Sequence, residues 1–257
     1  MDMVCEKNAD KDFDFMKDAI QAYVDGEWLT ADGTTLGADD GIGVAAAMAL
    51  LDADDIEHGP LEALFTVDEE TGLTGAAALS NDWLQSEMLL NFDDEDEGEF
   101  CIGCAGGIDT TVDLPYTLVP AKGDCAFTIN VSGLKGGHSG DDINKGLGCA
   151  NKILARLLWN VSERYGARLA TIAGGNLRNA IAREACATIT VAKENADAVQ
   201  QMVREMGNEI VFEFRSTEPS LVVAIAPAEM PAQVIDETTQ RNLLDALLAV
   251  AHGVLAM

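Results

Sequence analysis

Two short apolar runs that break off into carboxylates constrain this chain more than any other feature. LEALFTV at 61–67 leads straight into Asp68, Glu69 and Glu70, and MLLNF at 88–92 leads into Asp93. Apolar runs of this length, rich in branched and aromatic residues, read as buried strands. Helix-forming stretches lie beside them: an alanine-rich segment at 44–51 and a short one at 75–79. Strands alternating with helices predict an α/β layer with a largely parallel sheet. Both acidic clusters then fall just past the C-terminal ends of strands, where open α/β sheets bind their ligands.

The pattern changes after about residue 108. CAFTINV at 125–131 alternates like a half-buried strand, and a long helix is expected over 146–164. Strands at 168–172 and 185–191, a helix at 196–212, a strand at 221–226 and a helix at 238–251 complete the series. Strand-helix-strand-strand-helix-strand is the outline of a ferredoxin-like α+β domain. The boundary is placed near Gly106 and Gly107, separating 1–107 from 108–257, with no internal repeat or low-complexity linker.

Composition limits the partners. The chain has 257 residues, enough for one large domain or two modest ones. Its 44 acidic and 16 basic residues give a net charge of −28. Such a field repels phosphate backbones, which argues against nucleic acid, and attracts divalent cations. No stretch approaches the roughly 18 apolar residues a membrane span needs. The N-terminus, MDMVCEK, lacks the basic start and apolar run of a secretory signal, so a cytoplasmic setting is expected. Cys101 and Cys104 form a lone C-x-x-C without a second pair, and free thiols are the expected state.

Hydrolysis by two metal ions needs a bridging carboxylate, further ligands for each ion and a base for the water. Asp39, in the glycine-framed loop GTTLGADDGIG at 33–43, is a candidate bridge, although Asp39 and Asp40 taken alone read more readily as a helix N-cap with a first-turn acid. Glu69 and Glu70 point to opposite sides of the backbone, so one can bind metal while the other faces water. Asp93 heads the acidic run DDEDEGE and is its member best placed to reach inward. GGHSG at 136–140 sets His138 on a glycine turn, where an imidazole can stabilise an oxyanion or hold a carboxylate. A serine-nucleophile elbow needs glycine at 141, where this chain has Asp141. GIGVAA at 41–46 fits a dinucleotide fingerprint in form, but no strand precedes it and the adjacent aspartates repel a pyrophosphate.

Taken in order, these pieces resemble the aminoacyl-histidine dipeptidases (Xaa-His dipeptidase, carnosinase-like). Those enzymes belong to a co-catalytic zinc peptidase family that includes the aminoacylases. The stretches that carry the resemblance are DMV at 2–4, the loop at 33–43, HGPLE at 58–62, DEETG at 68–72, NFDDEDEGE at 91–99, CAGGID at 104–109, LKGGHSG at 134–140 and LRNAI at 177–181. The resemblance implies a partial phosphorylase/hydrolase-like zinc peptidase domain of α/β class over 1–107, with a partial ferredoxin-like lid and dimerisation domain over 108–257. It implies Asp39 as the bridging ligand, Glu70 and Asp93 as ligands of the two ions, and Glu69 as general base. Asp2 would orient a metal-bound histidine, His138 would polarise the scissile carbonyl, and Arg178 and Asn179 would lie near the substrate. Two zinc ions (manganese or cobalt as alternatives), a small dipeptide substrate and a homodimer formed through the lid follow from the same resemblance. His58 and His252 match no family ligand.

The departures bear on activity. The family's His-x-Asp motif puts its histidine two residues before the aspartate, here ahead of Met1, and its last metal histidine matches nothing in this chain. Ala182 stands where the family has a proline. Carboxylates alone favour hard ions such as magnesium or calcium over zinc. The expectation is that the full family enzyme cleaves dipeptides while this chain alone is weak or inactive. The rival expectation is a non-catalytic remnant serving as a dimerising or peptide-binding module.

Overall fold

The computed structural model describes residues 2–8, 11–94, 98–103 and 106–256. Two compact units divide the chain, Met1–Gly106 and Gly107–Met257.

In the second unit β4 (Cys125–Ser132), α3 (Ala150–Tyr165), β5 (Arg168–Gly174), β6 (Ala185–Val191), α4 (Ala196–Glu213) and β7 (Val222–Ala228) follow the anticipated order. They build a four-stranded antiparallel sheet in the order β5-β6-β4-β7. This is the ferredoxin-like arrangement. Period-two alternation in β4 buries Phe127, Ile129 and Val131, which register opposite Ile189, Ala187 and Ala185 of β6. From α3 a stripe of Ile153, Leu154, Leu157, Leu158 and Val161 meets that face, the i, i+4, i+8 spacing of an amphipathic helix. Val199, Val203 and Ile210 of α4 join the same core. Each such aliphatic side chain contributes about 1.5–3 kcal/mol by leaving water.

A second, two-stranded sheet pairs β3 (Leu118–Pro120) with β8 (Gln233–Ile235), and α5 (Glu237–Ala249) follows. Asp236 caps α5 by accepting a hydrogen bond from the Thr239 amide at 2.9 Å. Buried Gln240 of α5 accepts from the Leu169 amide at 2.8 Å and donates to the Ala167 carbonyl at 2.9 Å. One side chain thereby satisfies buried backbone groups where β5 begins.

The first unit departs from expectation. β1 (Ala22–Asp25) and β2 (Trp28–Ala31) form an antiparallel hairpin joined by a turn at Gly26 and Glu27. The expected helices appear as α1 (Gly41–Asp52) and α2 (Thr74–Ala77). The largely parallel sheet does not: neither 61–67 nor 88–92 joins a ladder, and the hairpin is this unit's one sheet among the described residues. A strand has no hydrogen bonds of its own and exists through a neighbour beside it. No described segment of this unit pairs with either run. Val67, Leu89 and Leu90 accordingly stand 73%, 79% and 81% exposed.

Candidate functional site

The acidic cluster of the first unit is assembled by backbone lacing. Residues 2–7 run along the glycine-framed loop: Lys7 and Thr34 form an antiparallel bridge, the Thr35 amide donates to the Glu6 carbonyl at 3.0 Å, and the Thr35 hydroxyl donates to the Val4 carbonyl at 2.6 Å. Asp2 is thereby carried to the turn after Val67, where its carboxylate accepts from the amides of Glu69 at 3.3 Å and Glu70 at 3.2 Å. In this structure Asp2 therefore organises the backbone that presents both glutamates. The turn is closed by the Leu73 amide on the Glu69 carbonyl at 2.9 Å and by the Thr74 hydroxyl on the Asp68 carboxylate.

Asp40, joined to Asp39 by a cis peptide bond, is the N-cap of α1 and accepts from the Gly43 amide at 2.9 Å. Of the two aspartates weighed as a cap, Asp40 takes that part. A side chain at Gly43 would collide with Asp40 and come within 2.9 Å of Phe92 Cβ, so glycine here lets the segment bearing Asp93 approach the helix start. Sequence reading gave Gly43 no such task, although its place three residues after a capping aspartate was a usable signal.

The electrostatics of Glu69 register the gathering. Partial desolvation raises its pKa first, and the negative charges of Glu70, Asp93, Asp2 and Asp39 push it further above the usual glutamate value. Asp2, Asp39, Glu70 and Asp93 thus all act on Glu69. Yet among the described residues no three His, Cys, Asp or Glu side chains are grouped so as to hold a metal ion. Their charge suits cations, but an all-oxygen set without a convergent trio does not fit a pair of zinc ions. Cys104 and residues 95–97 of the acidic run lie outside the described residues.

The second unit presents the histidine loop. The backbones of His138 and Ala180 form an antiparallel bridge, flanked by the Ser139 amide on the Asn179 carbonyl and the Ile181 amide on the Gly137 carbonyl, both 2.8 Å. Asn179 therefore secures the loop through its backbone. Nδ1 of His138 accepts from the amides of Gly140 at 3.1 Å and Asp141 at 3.2 Å. Nε2 has no hydrogen-bond partner among the described residues. Arg178 pairs with the Asp109 carboxylate at 3.1 Å and lines a pocket of about 470 Å³ with Ser139, Cys149, Asn151 and His252. His252 is held there by Nε2 on the Leu147 carbonyl at 3.2 Å, a placement its sequence context did not signal.

Comparison with known proteins bears on what these parts belong to. Residues 120–217 match the family described as peptidase dimerisation domain. Over 257 residues, 99% of the chain, the sequence is 44% identical to the cytosol non-specific dipeptidase of Escherichia coli (strain K12), covering 53% of that protein. Nearly the whole chain is thus similar to part of a dipeptidase. The crystal structure of aminoacylhistidine dipeptidase from Vibrio alginolyticus superposes on all of it with a TM-score of 0.69 and 44% identity, over 52% of that protein. The chain thus spans about half the length of these dipeptidase relatives. An α/β fold with a lid domain agrees with both matches. No helix among the described residues is long and apolar enough to cross a membrane.

Proposed function

We infer that this chain serves the hydrolysis of short peptides, dipeptides of the Xaa-His type, by a metal-dependent dipeptidase. The observation that carries the reading is Glu69: partial desolvation first, then Glu70 beside it and carboxylates from the segment after Phe92, the N-terminus and the glycine-framed loop, raise its proton affinity. A carboxylate with raised proton affinity is a better proton acceptor near neutral pH, as a general base for water must be. In this reading Asp39, Glu70 and Asp93 are the cation-facing carboxylates, and Asp2 steadies the turn that bears Glu69. His138 donates its Nε2 proton to the scissile carbonyl oxygen, while Arg178 and Asn179 receive the substrate's far end. Metal dependence, with zinc the expected ion, rests on kinship, because the described residues do not complete a zinc pair.

The test is turnover of Ala-His beside elemental analysis of bound zinc. The chain alone is expected to bind less than one zinc per molecule and to cleave slowly, with Glu69→Gln removing what cleavage there is. Full activity retained by Glu69→Gln would overturn the assignment of the base. A second reading, a dimerising or peptide-binding module without turnover, is favoured by the dimerisation-domain match over 120–217. A homodimer in sedimentation that binds Ala-His without cleaving it would support that reading.

A further inference from the structure

The turn that carries His138 contains a carboxylate used for nothing but holding the turn. Asp142 accepts a hydrogen bond from the His138 backbone amide at 2.6 Å through Oδ2, and its own amide donates to the His138 carbonyl at 3.1 Å. Its other oxygen, Oδ1, is taken by the Lys145 ammonium. This reciprocal pair of bonds closes residues 138–142 into a compact turn and brings the amides of Gly140 and Asp141 beneath the imidazole. Gly137 has to be glycine for this to happen: at φ +147°, an added Cβ would lie 2.6 Å from Asp142 Oδ2.

The ring's protonation follows from that closure. A nitrogen that receives two N–H groups presents a lone pair, so a neutral imidazole here must carry its hydrogen on Nε2. One group pulls the other way. The Asp141 carboxylate is 3.3 Å from Nδ1 and could accept a hydrogen from it, but at 89% exposure its pull is weakened by water. Lys145 is engaged by Asp142. We propose that Asp142, braced by Lys145, is a positioning residue that fixes His138 as its Nε2–H tautomer. This rests on the reading of His138 as donor to a carbonyl oxygen, for which Nε2–H is the required form.

The chain has just three histidines, so the ring nitrogens can be assigned by imidazole ¹⁵N NMR with His138→Gln as the reference. Measured at a pH where the ring is neutral, wild-type His138 is expected as one species, with pyrrole-type Nε2 and pyridine-type Nδ1. Asp142→Ala is expected to move both shifts toward a tautomer mixture, as Asp141 becomes the remaining partner of Nδ1. Asp142→Asn keeps an acceptor for the His138 amide and should restore most of the wild-type pattern. Asp141→Ala should leave it unchanged, because the Asp141 backbone makes the bond. A folded Asp142→Ala protein retaining pure Nε2–H overturns the proposal. So does a wild-type ring found as Nδ1–H, a result that needs no variant to fold. Neither readout depends on peptide turnover, so Glu69→Gln cleaving Ala-His as fast as wild type would overturn the assignment of the base and leave this proposal standing.

Discussion

Residues 107–257 and residues 1–106 are written in similar patterns and fold to different degrees. In the second unit each strand of the main sheet has a neighbour, and its apolar face meets α3 and α4. In the first, the buried hydrophobic residues among those described are Phe13 and Ala31, while Met88, Leu89, Leu90 and Phe92 stand in water. Apolar periodicity states what a segment is able to bury. Burial itself requires a second surface, and the second unit contains its own.

That contrast predicts unequal sensitivity to the same substitution. Leu154, fully buried in α3, should cost about 2–5 kcal/mol as Leu154→Ala, through lost transfer energy and the cavity left behind. Leu89→Ala, at a site 79% exposed, should stay within about 0.5 kcal/mol of wild type. Guanidinium unfolding of the two variants reads the difference directly. Equal losses would mean that the first unit has a core like that of the second.

Buried polar bonding gives the next step down. Gln240→Leu keeps the volume and removes the acceptor of the Leu169 amide and the donor to the Ala167 carbonyl. The Ala167 carbonyl keeps the Ser162 hydroxyl at 3.2 Å, but the orphaned Leu169 amide costs about 1–3 kcal/mol when water cannot reach it. The same unfolding measurement should place this variant between the two leucine variants or level with Leu154→Ala. A change under about 0.5 kcal/mol, the range of surface substitutions, would show that water reaches the start of β5.

Sequence carried far in the second unit because its signals were local and its partners were present. Alternation in 125–131, the long helix and the glycine turn before His138 each specify structure over a few residues, and the sheet closes around them. In the first unit the same reasoning read strands at 61–67 and 88–92, and none formed, since apolarity does not supply a ladder. The site was legible as residue types: Glu69 does feel Asp2, Asp39, Glu70 and Asp93. Illegible were the bonds between segments distant in the chain. Asp2 on the Glu69 and Glu70 amides, Phe92 against Gly43 and His252 in the Arg178 pocket depend on tertiary placement that no local pattern encodes.

The smallest expected effect tests whether the first unit's carboxylates push on one another in solution. Desolvation and four neighbouring charges raise the pKa of Glu69 in the folded protein above its unfolded value. Between those two values the native state holds more protons than the unfolded state, so stability falls as pH rises. The favourable contribution is complete below the ordinary glutamate value and is lost as pH passes through the raised one. Glu69→Gln cannot ionise, so the variant should lack that slope and be slightly more stable than wild type at neutral pH. Exposure of the group keeps the gain within about 0.5 kcal/mol. Magnesium should shrink the difference, because a cation among the carboxylates removes the repulsion that the substitution relieves. Thermal unfolding from pH 4 to 8, with and without magnesium, makes the comparison. A glutamine variant less stable than wild type at neutral pH would mean that Glu69 is held by attraction, contrary to the charges around it.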